Sequence, residues 1–216
     1  MFYAGTIFLS SFLLFLVQPL IARLILPWFG GSAAVWTTCM LFFQALLLAG
    51  YGYAHLLNAR VPSKRAQAIV HSVLLLAALA PLPIAPEDSW KPAGDDEPVS
   101  RILLLLGASV GLPYFLLAAT SPLVQAWFAQ ARPGQNPYRL FAVSNLASLV
   151  ALLGYPFLVE PFFSAGEQVA VWSWLFAAFA VLCASAAWSA PAPTVFRSHE
   201  KSAVERGSVF LWLTLA

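Results

Sequence analysis

Apolar residues run along this chain in six long blocks free of Asp, Glu, Lys and Arg: Phe2–Ala22, Leu24–Ala59, Ala66–Pro86, Ile102–Ala131, Leu140–Val159 and Gln168–Phe196. Each block matches or exceeds the roughly 20 helical residues that cross a hydrocarbon core of roughly 30 Å. A membrane barrel needs strands that alternate apolar and polar positions. Runs such as Ile102–Leu106 and Leu74–Leu82 do not alternate. The pattern therefore predicts an all-α, polytopic membrane bundle of six transmembrane helices. Their expected limits are Phe2–Leu26, Ala34–Leu57, Ala66–Ala85, Arg101–Phe128, Tyr138–Glu160 and Gln168–Ala190.

Composition strengthens this reading: 61% of residues are hydrophobic, 9% are charged, and mean hydropathy is +0.80. Soluble domains carry roughly 25% charged residues. The first block does not match a signal peptide well, because Met-Phe-Tyr-Ala-Gly offers no basic leader and the apolar run exceeds the usual length.

Basic residues then set an expected orientation. The loops after the second, fourth and sixth helices hold Arg60, Lys64, Arg65, Arg132, Arg139, Arg197, Lys201 and Arg206. The opposite side holds only Arg23, Lys91 and Arg101, together with Glu87, Asp88, Asp95, Asp96, Glu97, Glu160 and Glu167. The split of 8 to 3 places the N-terminus in the cytoplasm and turns the acidic loop outward. Residues 1–190 form the expected transmembrane domain and 191–208 a cytoplasmic polar linker. Residues 209–216 resume apolar character, which is expected of the start of a seventh helix in a longer polypeptide or, alternatively, of a short re-entrant tail.

The first and fourth helices share a motif, Gln18-Pro19-Leu20 against Pro122-Leu123-Val124-Gln125, each followed by an aromatic pair, Trp28-Phe29 and Trp127-Phe128. The second and fifth correspond at Leu47–Tyr51 and Ala151–Tyr155. Three helices repeated by three more must be inverted in the membrane, so the pattern implies a 3+3 inverted repeat, the plan of half a major-facilitator domain. Polar residues inside lipid need partners or a cavity. Gln18, Gln44, Thr120, Ser121, Gln125, Ser144, Asn145 and Ser148 are accordingly candidates to line one. The competing reading of each is an ordinary interhelical hydrogen bond of about 0.6–2 kcal/mol. Arg23 and Glu160 fall at matching depth and form a candidate ion pair. Pro19, Pro113 and Pro122 each free a backbone carbonyl that a nearby Gln or Ser can use. Gly50, Gly52 and Gly154 are expected to permit close helix approach.

Other chemistry is sparse. Cys39 and Cys183 sit in different spans and read as packing residues, and His55, His71 and His199 form no recognisable cluster. No metal site, cofactor motif, nucleophile elbow or glycine-rich phosphate loop stands out. The basic loops express topology and contact with anionic lipid, not nucleic acid.

Several stretches together carry a resemblance. Leu13–His55, Thr120–Ala129 (TSPLVQAWFA), Asn136–Pro161 and the Trp-Ser-Trp of Trp172–Trp174 resemble the N-terminal membrane portion of bacterial fused major-facilitator/spermidine-synthase-like proteins. The resemblance implies a membrane region that precedes a cytoplasmic aminopropyltransferase-like domain. That domain's glycine-rich nucleotide unit and polyamine-handling acidic residues have no counterpart here, so no enzymatic activity is expected of this chain. Asn58–Arg65 (NARVPSKR) is also similar to the basic loop between the second and third helices of major-facilitator transporters. It lacks that motif's acidic residue, and Asn58 stands near its place. Three roles follow as expectations: a transporter-like domain handling a small solute, a membrane anchor for an enzyme domain, or a half-size transporter completed by a second copy. The partners expected are the lipid bilayer and either a further part of the same polypeptide or that second copy. A polyamine is a poor candidate solute, because a polycation needs compensating carboxylates and only Glu160 approaches that requirement.

Overall fold

A computed structural model describes residues 2–92, 98–132, 135 and 138–189. The expected linker 191–208, the helix start 209–216, and Asp95, Asp96 and Glu97 of the acidic loop lie outside the described residues. The described residues are all-α and contain no strand. The helices are α1 (Phe2–Phe29), α2 (Ala33–Arg60), α3 (Lys64–Ala77), α4 (Pro98–Leu106), α5 (Leu112–Ala131), α6 (Tyr138–Gly154) and α7 (Ala165–Ser189). A π-helical turn, Gly107–Gly111, joins α4 to α5 in one continuous helix, Pro98–Ala131. A second π turn, Tyr155–Val159, extends α6. Five of the resulting helices are long and apolar enough to cross a membrane, which fits a membrane-embedded bundle.

Local signals set the ends. Ser32 caps α2 and Ser63 caps α3, each hydroxyl accepting from the backbone N–H three residues on at 3.4 Å. Ser164 and Glu167 form a reciprocal box at the start of α7. The Glu167 carboxylate accepts from the Ser164 N–H at 2.8 Å, and the Glu167 N–H donates to the Ser164 hydroxyl at 3.3 Å. Gly30 closes α1 with φ +78°, a left-handed conformation that favours glycine, and its N–H donates to the Leu26 carbonyl at 2.8 Å.

The third segment corrects the expectation. It stops at Ala77 rather than Ala85, and its 14 residues rise only about 21 Å. Pro81 and Pro83 lack the N–H groups a helix needs and disfavour helical geometry in the residues before them. Residues 78–85 continue instead as tight turns, with Leu79, Ala80 and Leu82 donating to the carbonyls of Leu76, Ala77 and Leu79. Ala78 and Ile84 are fully buried there, so this irregular backbone packs against protein, as membrane depth requires. Prolines also mark the π turns: Pro113 follows the first and Pro156 lies within the second, where the Glu160 N–H reaches back five residues to the Tyr155 carbonyl at 2.8 Å.

Helices α1 and α4–α5 are the most buried and form the centre. Helix α1 packs against α5, α6 and α7; α2 packs against α4 and α5; α3 packs against α7 and, more lightly, α5. Leu13, Val17, Ile21 and Ile25 of α1 meet Phe176 and Phe179 of α7 and Leu116 and Leu117 of α5 in one core. Between helices in lipid this packing acts through dispersion and hydrogen bonds, because lipid tails are already apolar. The Trp172 indole adds a buried bond to the Leu13 carbonyl at 3.0 Å, and the Ser11 and Ser144 hydroxyls join α1 to α6 at 2.7 Å. Gly50 brings α2 onto α5 so closely that a Cβ there would lie 2.8 Å from the Ala118 Cβ and 2.9 Å from the Phe115 carbonyl oxygen. Gly52 and Gly154 have nothing within 4 Å of that position, so close approach is the work of Gly50.

The two ends of the bundle differ in charge. Arg60, Lys64, Arg65, Arg132 and Arg139 lie at the end carrying the α2–α3 turn, hereafter the Lys64 end. Arg23, Lys91 and Arg101 lie at the opposite, Trp28 end, with Glu87, Asp88, Glu160 and Glu167. Arg101 holds the short Asp88–Trp90 turn in place there. It donates to the carbonyls of Ser89, Trp90 and Lys91 at 2.9–3.1 Å, while the Lys91 ammonium sits 5.3 Å from the Trp28 ring centroid.

Candidate functional site

A cleft of about 690 Å³ opens between α1, α2, α5 and α6 in the half of the bundle toward the Trp28 end. Its walls are largely apolar and aromatic, with Phe15, Trp36, Met40 and Phe43 among them. Six polar side chains also line it: Gln18, Arg23, Gln44, Tyr114, Tyr155 and Glu160. That size and that mixture, a mainly apolar wall with a few polar groups, are typical of small-molecule sites.

Gln18 reaches the cleft one residue before Pro19, and its side-chain amide donates to the Tyr114 hydroxyl at 3.3 Å. Gln44 lies across from it on α2 and makes no hydrogen bond to protein among the described residues. Tyr114 and Tyr155 each stand beside a proline at a π turn. The Tyr155 hydroxyl shares its one proton between Gln168 Oε1 at 3.2 Å and the Pro19 carbonyl at 3.4 Å, tying the end of α6 to α1 and α7. Gln168 in turn donates to the Phe163 carbonyl at 2.9 Å. No side chain among the described residues bonds the Phe15 carbonyl that Pro19 frees. The α1 carbonyls that accept side-chain bonds from other helices are instead those of Leu13, from Trp172, and Pro19, from Tyr155.

Arg23 and Glu160 meet at the mouth of the cleft, but through the main chain. Arg23 Nη1 donates to the carbonyl oxygens of Glu160 at 3.2 Å and Phe163 at 3.4 Å. Among the described residues no carboxylate lies within 4.0 Å of this guanidinium. The arrangement resembles a cation at a helix C-terminus, where unsatisfied carbonyls carry partial negative charge.

The other polar candidates lie elsewhere. Thr120 is fully buried and its hydroxyl donates to the Leu116 carbonyl of its own helix at 2.7 Å. Gln125 bonds Ser121 one turn away at 3.0 Å, and Ser148 bonds the Ser144 carbonyl at 2.9 Å. Ser144 is occupied by Ser11. Asn145 is on the exposed side of α6. Of the eight, only Gln18 and Gln44 line the cleft.

A second polar cluster, unmarked by any motif, lies buried near the Lys64 end. His71 is fully buried. Its Nδ1 pairs with the Tyr53 hydroxyl at 3.2 Å and its Nε2 with the Cys183 sulfur at 3.4 Å. Its ring lies edge-on to Trp127 at 5.9 Å between centroids. Gln67 sits one turn before it: its Nε2 donates to the carbonyls of Val61 at 2.6 Å and Leu57 at 3.4 Å. Its Oε1 accepts from the Trp127 indole at 2.8 Å and the Lys64 ammonium at 3.1 Å. The spacing Lys64–Gln67–His71 puts three polar groups on one face of α3, the only trace of this cluster in the sequence. No group of three metal-ligating side chains occurs among the described residues. No family model, curated protein or solved structure matches this chain.

Proposed function

We propose that this chain is a transporter-like membrane half-domain that handles a small solute in the cleft between α1, α2, α5 and α6. The carrying observation is the cleft itself: six polar side chains face a space of about 690 Å³ at the depth of apolar, membrane-length helices. Gln44 makes no hydrogen bond to protein among the described residues, and lipid offers it none, whereas a solute or water does. A 3+3 inverted repeat is supported by the packing pairs. Exchanging the first three membrane segments for the last three turns the α1–α6 pair into the α4–α5 pairing with α2. The same exchange returns the α1–α5 and α3–α7 pairs to themselves, while the α1–α7 pair maps onto the lighter α3–α5 contact. The proline-marked π turns in the fourth and fifth membrane segments fit the same plan. The excess of basic residues at the Lys64 end supports a cytoplasmic N-terminus, and the resemblance to bacterial fused proteins supports a bacterial inner membrane. The motif series similar to fused major-facilitator/spermidine-synthase-like proteins supports a role beside a synthase-like domain, with the chain itself non-catalytic.

The test is water access. In a background with Cys39 and Cys183 replaced by Ala, a single cysteine at Met40 in the cleft is expected to react with a membrane-impermeant maleimide. One at Leu146 on the exposed face of α6 is expected to stay unreacted. Equal protection of both positions would favour a plain membrane anchor instead.

A further inference from the structure

We infer that the cleft takes an organic anion with an apolar body, its acidic group held by Arg23; this rests on the cleft being the solute site. Arg23 lines the cleft, and among the described residues no carboxylate comes within 4.0 Å of it. Two carbonyl oxygens, those of Glu160 and Phe163, hold Nη1 at 3.2 and 3.4 Å, so the guanidinium is positioned before any ligand arrives. Carbonyl dipoles orient the charge without cancelling it. A ligand carboxylate gains a charge-assisted hydrogen bond there and spends little on ordering its partner.

Glu160 lines the same mouth with the opposite sign, and position decides between them. Glu160 is exposed at the end of its helix, where water and salt screen it. Arg23 is half-buried inside α1 against the cleft wall, where a lower dielectric strengthens its field. An anion is therefore drawn deeper than a cation, and a polyamine is opposed at the entrance.

Further in, the walls turn apolar, with Met40 and Phe43, as far as the Gln18–Tyr114 pair, and Phe15 lies one turn beyond it. Gln44 adds an amide with no protein partner among the described residues. Gln18 and Arg23 are five residues apart on one helix, a rise of about 7.5 Å. The solute that uses the whole cleft carries its acid at one end and a hydrogen-bonding group roughly that far away, with apolar atoms between.

The test uses three probes of one skeleton, 3-phenylpropionate, 3-phenylpropanol and 3-phenylpropylamine. Each is titrated calorimetrically into the full chain in lipid nanodiscs, with empty nanodiscs subtracted. Wild type is expected to prefer the carboxylate over the amine by about tenfold or more, the worth of one charge-assisted bond. Arg23→Gln is expected to weaken the carboxylate by about tenfold while phenylpropanol binding holds, and Arg23→Lys to recover part of the loss. Phenylpropanol binding also reports that a variant is folded. If Arg23→Gln does not fold, the head-group preference of the wild type decides alone. An amine bound as tightly as the carboxylate overturns the anion assignment and leaves the cleft standing. So does an Arg23→Gln variant that binds the carboxylate unchanged. If none of the three binds wild type, the solute cleft itself fails, and the anion assignment with it.

Discussion

Two polar regions sit at opposite ends of one helical bundle, and they are built on opposite principles. Around Gln67 and His71, near the Lys64 end, the side chains are buried and donors meet acceptors across α2, α3, α5 and α7. Around Gln18, Arg23 and Gln44, near the Trp28 end, polar groups face open space and share few bonds. Satisfied polar networks at low dielectric rigidify a fold, and unsatisfied ones await a ligand or water. The contrast teaches where each region should be sensitive: the first in stability, the second in binding.

The largest expected effect breaks the buried network. Gln67→Leu leaves the Trp127 indole N–H and the Val61 carbonyl without their partner and is expected to destabilise the protein by about 3 kcal/mol. Thermal unfolding in detergent checks it, and an unchanged midpoint would mean the network contributes nothing.

Next comes packing. Gly50→Ala pushes a methyl against the Ala118 side chain and the Phe115 backbone, with an expected loss of about 2 kcal/mol. Gly52→Ala meets open space and should leave the same melting curve in place or raise it slightly. Equal effects at the two glycines would contradict the close α2–α5 contact.

Smaller still is the α1–α6 hydroxyl pair. A double-mutant cycle on Ser11→Ala and Ser144→Ala should return a coupling of about 0.6 kcal/mol, because the unfolded chain in lipid also finds partners. The smallest stability change belongs to the cleft: Gln44→Leu is expected to alter unfolding by less than about 0.5 kcal/mol. The same substitution should weaken binding of a solute that hydrogen-bonds the amide, read by the nanodisc titration. A large stability loss at Gln44 would erase the distinction between the two regions.

Legibility in the sequence followed the physics that each signal samples. Charge-free blocks measure transfer into lipid, so the helices and the uneven distribution of basic residues between the two ends could be read directly. Hydropathy does not measure backbone hydrogen bonding. The block Ala66–Pro86 therefore looked like one span, although Pro81 and Pro83 stop its helix at Ala77. Gln18 and Gln44 stood out as polar residues in apolar runs, and both line the cleft. Thr120, Gln125 and Ser148 stood out for the same reason but are satisfied within their own helices, because a hydroxyl or amide reaches a carbonyl or side chain one turn away. Tyr114 and Tyr155 gave little signal, since a tyrosine in an apolar helix reads as an aromatic packing residue until its hydroxyl is seen to have a partner.

Sequence alone determined that the chain makes long apolar helices with basic residues gathered at alternate turns, because length, apolarity and charge are properties of each segment by itself. Only the tertiary structure decided that Arg23 is held by the carbonyls of Glu160 and Phe163, and that His71, Tyr53 and Cys183 meet. Those contacts join residues up to 140 positions apart, and they depend on the rotation and depth of each helix against its neighbours. In lipid, close packing and individual hydrogen bonds set that rotation, and no local pattern records them.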